Sequence, residues 1–310
     1  MNITNFCLSC FFWSHLVFLQ SMTIDVKHEL SSPIKRLQVF SERCSGSNYV
    51  TALLIKHFDF ENCFTIPERK IPEQLKTIQE PLQFYCFREE DQIVHKLFLY
   101  PYGHKHFSPW FDLPSECFLG PKQFYDFENS DDCLFIVVFR NPYDWVRSFY
   151  IAPWHAAPEV YARSFEDFIR LPWDTEKSSL DMQVQYKYNP LVDCNPVNRS
   201  LFKNIFHLRK SKIKNMLTIK DKVKNIYYVN YEKVQDSPYK FLKELEALYE
   251  LQLKEPYEDV DSYKGDQFQG PYIKKHYPSI TDKDLVYINS ELDVLLENSI
   301  GYEILTQDSD

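Results

Sequence analysis

Apolar residues cluster along the chain in two alternating kinds of segment. Short apolar runs at 36–40, 93–100, 134–139 and 226–230 have the length and β-branched or aromatic character of strands. Longer segments at 47–58, 142–150, 164–171, 200–217, 237–250 and 282–298 carry apolar residues at helical spacing, as in Val50, Leu53, Leu54 and Phe58. Strand followed by helix, repeated, predicts an α/β fold of three layers, with a mostly parallel central sheet flanked by helices on both faces. Residues 59–92 read as irregular, rich in proline and charge, and 254–275 as a loop punctuated by Lys264-Gly265 and Gln269-Gly270-Pro271.

Two strand ends stand out. Leu37-Gln38-Val39-Phe40 runs into Ser41-Glu42-Arg43-Cys44-Ser45-Gly46-Ser47-Asn48-Tyr49. A strand-to-helix turn directs backbone N–H groups outward, and the helix start adds partial positive charge, so anions bind there. Gly46 permits close approach of backbone to ligand, and Ser45, Ser47 and Asn48 offer side-chain hydrogen bonds. The chain has only 6 glycines, so one at this turn is informative. Leu134 to Phe139 runs into Arg140-Asn141-Pro142-Tyr143-Asp144-Trp145-Val146-Arg147-Ser148. Arg140 stands where open α/β sheets bind ligands, Pro142 suits a first helical position, and a guanidinium offers a fork for phosphate. A ligand with two separated anionic ends is the simplest partner for both turns.

The pair resembles the nucleotide-binding motifs of sulfotransferases that use 3′-phosphoadenosine 5′-phosphosulfate (PAPS). In that family a strand–loop–helix like Arg/Lys-Ser-Gly-Thr/Ser holds the 5′-phosphosulfate, and Arg-x-Pro-x-Asp-x-x-x-Ser holds the 3′-phosphate. Arg140, Pro142, Asp144 and Ser148 match the second motif throughout. In the first, Cys44 replaces the residue before Ser45-Gly46 that is usually Lys or Arg, and Arg43 lies one place earlier. The resemblance continues through Asn225 to Val234, similar to a family strand ending in Arg-Tyr-Glu-Asp-Leu, and through Tyr272-Ile273-Lys274-Lys275-His276-Tyr277 to Gly301-Tyr302, similar to its basic loop, closing helix and Leu-Gly-Tyr ending. It spans roughly 35–305, with 1–34 as an apolar leader or packed extension and 306–310 as a tail. The stretch from His155 to Trp173 resembles bacterial and environmental members. The implied fold is P-loop-like. The implied cofactor-binding residues are Arg43, Cys44, Ser45, Gly46, Ser47, Asn48, Arg140, Ser148, Tyr231, Lys274 and Lys275. Tyr231 reads equally as a core tyrosine at a strand end.

Sulfuryl transfer to a hydroxyl or amine needs a base for the acceptor proton and positive charge on the leaving phosphate oxygen. Gly103-His104-Lys105-His106-Phe107, after the 93–100 strand, resembles the family's Trp-Lys-His-Gly-Phe. It implies His106 as general base and Lys105 as supporting cation, with Arg43 as the loop cation. His104 is the rival base, and His155 or a carboxylate the remaining alternatives. Trp154-His155-Ala156-Ala157-Pro158, Tyr161 and Phe165 through Trp173 are expected to flank an acceptor pocket, whose aromatic walls suit sugars, phenols and apolar alcohols, or to be helix packing. Arg209 and Lys212, one turn apart, are expected on a solvated basic face rather than at an acceptor site.

Composition narrows the alternatives. A chain of 310 residues supports one large domain. A net charge of −9 argues against a general nucleic-acid binder but not against a local basic cluster. No Gly-x-x-x-x-Gly-Lys-Ser/Thr occurs, which disfavours a nucleotide phosphotransferase. A non-catalytic PAPS-binding protein stays open, because Cys44 is not a cation. The 8 cysteines are scattered, apart from Cys7 and Cys10, and no metal is expected. Phe6 to Leu19 is apolar but short for a membrane span and lacks a basic start. It reads as a packed helix or as a targeting segment, so both a cytoplasmic and a secretory location fit. Asn198-Arg199-Ser200 is a glycosylation sequon that matters only in the second case.

Overall fold

A computed structural model describes residues 32–63, 127–154, 156–160, 163–173, 193, 195, 200–260, 277 and 279–306. In chain order these form β1 (Arg36–Ser41), α1 (Ser47–His57), β2 (Asn62–Cys63), β3 (Cys133–Phe139), α2 (Pro142–Ile151), α3 (Phe165–Arg170), α4 (Ile205–Leu217), β4 (Ile226–Asn230), α5 (Tyr231–Asp236), α6 (Pro238–Tyr249), α7 (Asp282–Glu291) and α8 (Val294–Ser299). The four strands lie in the order β2-β1-β3-β4, all parallel. The α/β architecture expected from the alternation is the one observed. The expected strand at 93–100 lies outside the described residues, as do the 1–31 segment and the sequon asparagine.

The strands are apolar on both sides, so their alternation feeds two cores. Leu37, Val39, Leu134, Ile136 and Val138 pack under Val50, Leu53 and Leu54 of α1 and Phe241, Leu242 and Leu245 of α6. Phe40, Phe135, Val137 and Phe139 face the other way, onto Ile213 and Met216 of α4. A third cluster joins Trp145, Val146 and Phe149 of α2 to Phe168, Trp173, Phe206 and Ile288, and lies beside the strand ends. Each such side chain contributes about 1.5–3 kcal/mol on burial, well above an exposed ion pair.

Helix boundaries follow their caps. The helix expected from 200 starts at Ile205, because the Asn204 side chain accepts from the backbone N–H groups of Phe206 and His207. The helix expected over 282–298 is broken at Leu292, and Asp293 caps the second piece through the Leu296 N–H. A short helix, α5, follows β4 at once, before Ser237 and Pro238 begin α6. No helix among the described residues is long and apolar enough to cross a membrane.

The β1–β3 junction is where the strand order reverses direction, since β1 leads to β2 on one side and β3 to β4 on the other. Open parallel sheets bind ligands outside the carboxyl ends of strands at such a junction. Gly46 caps α1 there with φ of +84°, and a Cβ on it would stand 2.1 Å from Cδ2 of Tyr231. Gly46→Ala is therefore expected to destabilise the fold by about 2–5 kcal/mol, from left-handed strain plus overpacking. Urea unfolding measures this. Adding Tyr231→Leu should recover the overpacking share and leave only the backbone cost.

Candidate anion-binding site

The turn after β1 is shaped from its own backbone outward. The Glu42 carbonyl accepts from the Ser45 N–H at 3.3 Å, and Glu42 Oε1 accepts from the Arg43 N–H at 2.7 Å. Cys44 takes a left-handed φ of +60°, uncommon for a residue with a side chain. Two further bonds hold the turn from the second motif: Trp145 Nε1–H donates to the Arg43 carbonyl at 2.8 Å, and Arg140 Nη1 donates to the Cys44 carbonyl at 2.7 Å. The Cys44 thiol donates to the Ala152 carbonyl at 3.5 Å, at the far end of α2. The two turns are thus one hydrogen-bonded unit. Ser45 and Ser47 are buried in it, and Asn48 is exposed on the first turn of α1. No side chain caps that helix start.

Arg140 is half-buried between two aromatic rings, 5.1 Å from the centre of Tyr231 and 5.9 Å from that of Tyr277. Its Nη2 donates to the Tyr277 hydroxyl at 3.3 Å, a long bond. Its Nε is buried with no hydrogen-bond partner among the described residues. Burial opposes its charge, but Tyr277, Tyr231 and Asp144 together hold the guanidinium above its ordinary pKa. An anionic oxygen would satisfy that nitrogen. Ser148 is buried two turns along α2. Asn141 caps that helix through the Tyr143 and Asp144 N–H groups.

Arg43 does not face the ligand side. Its side chain is 0% exposed, with Nη1 2.9 Å from Glu42 Oε1 and Nη2 2.6 Å from Asp193 Oδ2. The rings of Phe149 and Trp173 lie 5.9 and 5.7 Å from the guanidinium carbon. Arg43 lies in the turn past the last residue of β1, and the buried carboxylates of Glu42 and Asp193 hold it inward. Lys212 completes the cluster, 2.9 Å from Glu42 Oε2 and 2.8 Å from Asp193 Oδ1. Burial alone would raise the Asp193 pKa, but Arg43 and Lys212 hold it below the usual aspartate value.

Arg209 is buried too, paired with Glu297 at 2.7 Å. The expected solvated face of Arg209 and Lys212 is therefore an interior one, because each cation meets a buried carboxylate. Phe168 and Trp173, expected near an acceptor, are core residues, whereas Trp154 is exposed. Tyr231 is buried and serves as the ring that Gly46 and Arg140 contact. Lys105, His106, His104, His155, Lys274 and Lys275 lie outside the described residues. Glu42, Trp145, Lys212, Asp193 and Tyr277 are the site residues that the motif left unmarked. Glu42, Trp145 and Tyr277 fall inside the segments that the sequence singles out, whereas nothing local marks Asp193 or the inward course of Lys212.

Arg43→Ala is expected to cost about 3–5 kcal/mol of stability by leaving buried carboxylates short of a cation. A depressed carboxyl pKa stabilises above its unfolded value and loses that contribution as pH falls through the folded one. The stability gap between Arg43→Ala and the unmutated chain should therefore narrow in acid, below the ordinary aspartate range. Thermal unfolding across pH checks both.

No family model and no curated protein matches the chain. Among solved structures it is similar to a sulfotransferase from Alicyclobacillus acidocaldarius, at 14% identity and a TM-score of 0.37, over 88% of this chain and 97% of that one. The likeness is loose, and the site's chemistry stands on its own residues.

Proposed function

We propose that the chain is a sulfotransferase that takes a sulfuryl group from PAPS and delivers it to a hydroxyl or amine acceptor, a carbohydrate or small alcohol being the class favoured. The observation that carries this reading is the fork of Arg140. One nitrogen is spent on the Cys44 carbonyl and one is buried without a partner among the described residues, beside the glycine turn and at the β1–β3 junction. Arg140 and Ser148 would hold the 3′-phosphate, with Lys274 and Lys275 closing over it. Ser45, Gly46, Ser47 and Asn48 would hold the 5′-phosphosulfate.

His106 would accept the acceptor's proton as the acceptor oxygen bonds to sulfur, with His104 as the rival. The bond from sulfur to the bridging phosphate oxygen breaks, and adenosine 3′,5′-bisphosphate leaves. Lys105 and the N–H groups at the start of α1 would meet the charge growing on that oxygen. Arg43 has no part in this step. It supports the turn from within.

That inward arginine favours a second reading, PAPS binding without turnover. With Cys44 neutral and Arg43 committed to Glu42 and Asp193, the turn itself presents no side-chain cation. Incubation with labelled PAPS and an acceptor library separates the two. Acceptor-dependent release of adenosine 3′,5′-bisphosphate supports transfer, and binding without release supports the second reading.

Two variants refine the test. Arg140→Ala should weaken adenosine 3′,5′-bisphosphate binding by about 1.5–3 kcal/mol, roughly ten- to hundredfold, and the analogue without the 3′-phosphate by clearly less, its share being the lost bond to the Cys44 carbonyl. Calorimetric titration measures it, and equal affinity of the unmutated chain for both ligands would sink the assignment. His106→Ala should lower the single-turnover rate by about 10²–10⁴-fold with nucleotide affinity nearly unchanged. A larger loss from His104→Ala would transfer the role.

A further inference from the structure

The two anion-holding turns are tied to each other, and both are also tied to one distant helix. Arg209 and Lys212 stand three residues apart on α4 and share a face. Lys212 reaches the first turn through Glu42, whose other carboxylate oxygen holds the Arg43 N–H. Arg209 reaches the second turn directly, since its Nη2 donates to the Arg140 carbonyl at 2.9 Å. The same guanidinium lies 4.9 Å from the Trp145 ring, and Trp145 holds the Arg43 carbonyl. Glu297 fixes Arg209 in a two-pronged pair at 2.7 and 2.8 Å. All four charged partners on this side of the turns are buried.

Charged side chains of this length are rarely buried, and here each ends on a group that shapes a ligand turn. Simple core packing between α4 and the sheet is already supplied by Ile213 and Met216 on the adjoining face. We infer that α4 is a strut that sets the separation of the two turns, with Arg209 and Lys212 as positioning residues, and so confers selectivity for ligands carrying two anionic groups at one fixed spacing. The identity of the probe rests on the sulfotransferase reading. The strut itself rests on the contacts above.

A ligand bound at two points depends on their spacing, and a ligand bound at one does not. The advantage of the first over the second is an effective concentration set by geometry. Calorimetric titration with adenosine 3′,5′-bisphosphate, adenosine 5′-monophosphate and adenosine 3′-monophosphate reads that advantage. The variants are Arg209→Lys, which keeps the charge and removes the fork, and the pair Lys212→Met with Asp193→Asn, which keeps the cluster neutral. Circular dichroism confirms that each is folded. In each folded variant the bisphosphate should lose about tenfold or more while either monophosphate changes by less than about threefold. Equal losses for all three ligands, or an undiminished preference for the bisphosphate, would overturn the strut. If the paired variant does not fold, Arg209→Lys alone decides. An unmutated chain with no preference for the bisphosphate would instead overturn the functional reading, and the inference with it.

Discussion

Four buried charges beneath the first turn, Glu42, Arg43, Asp193 and Lys212, set the terms for everything above them. Removing ions from water costs several kcal/mol each, and mutual attraction repays it only when the geometry is good. Here each carboxylate lies within ion-pair distance of both cations. The indole N–H of Trp173 donates a further bond to Asp193 at 3.1 Å. Because a half-built cluster would be strongly unfavourable, the arrangement has few alternatives, and the backbone of Glu42 and Arg43 inherits that rigidity. The turn that follows is thereby placed before any ligand arrives.

The parallel sheet supplies the other constraint. β1 and β3 are paired from Arg36 with Cys133 to Ser41 with Val138, so their ends, and the two turns, emerge side by side. The C-terminal segment locks this end of the sheet. Glu232, one residue into α5, accepts from the Asn141 N–H at 2.9 Å and from the Tyr302 hydroxyl at 2.7 Å, and Asn230 donates to the Ile300 carbonyl at 2.8 Å. Burial and the Glu232 carboxylate both raise the pKa of Tyr302, which keeps its hydroxyl a donor. The candidate site thus sits on a frame in which four separate chain segments share hydrogen bonds.

The cysteine at the turn acquires a physical role in this frame. A lysine at position 44 would need solvent or a ligand for its charge, whereas Cys44 packs among apolar neighbours and bonds to the end of α2. The positive charge near the turn is instead internal, and the exposed side of the site depends on Arg140. The proposed preference for a two-ended anion therefore rests on spacing as much as on charge.

Short apolar runs and helical patterning determined the α/β architecture, three of the strands and the start of α1 and α2, since burial of apolar faces is local in sequence and Gly46 and Pro142 announce their turns. The Arg140 motif was equally legible, because its chemistry is carried by consecutive residues after a strand. Tertiary structure alone decided where charge goes. Arg43 and Lys212 look like ligand-facing or solvated cations until Glu42 and Asp193 are brought against them, Glu42 from 170 positions before Lys212 and Asp193 from 150 positions after Arg43. Arg209 is claimed by Glu297 in the same way. Tyr231 became the ring beneath Gly46 for the same reason: the direction of a side chain at a strand end is set by what the fold packs around it, and no local pattern records that.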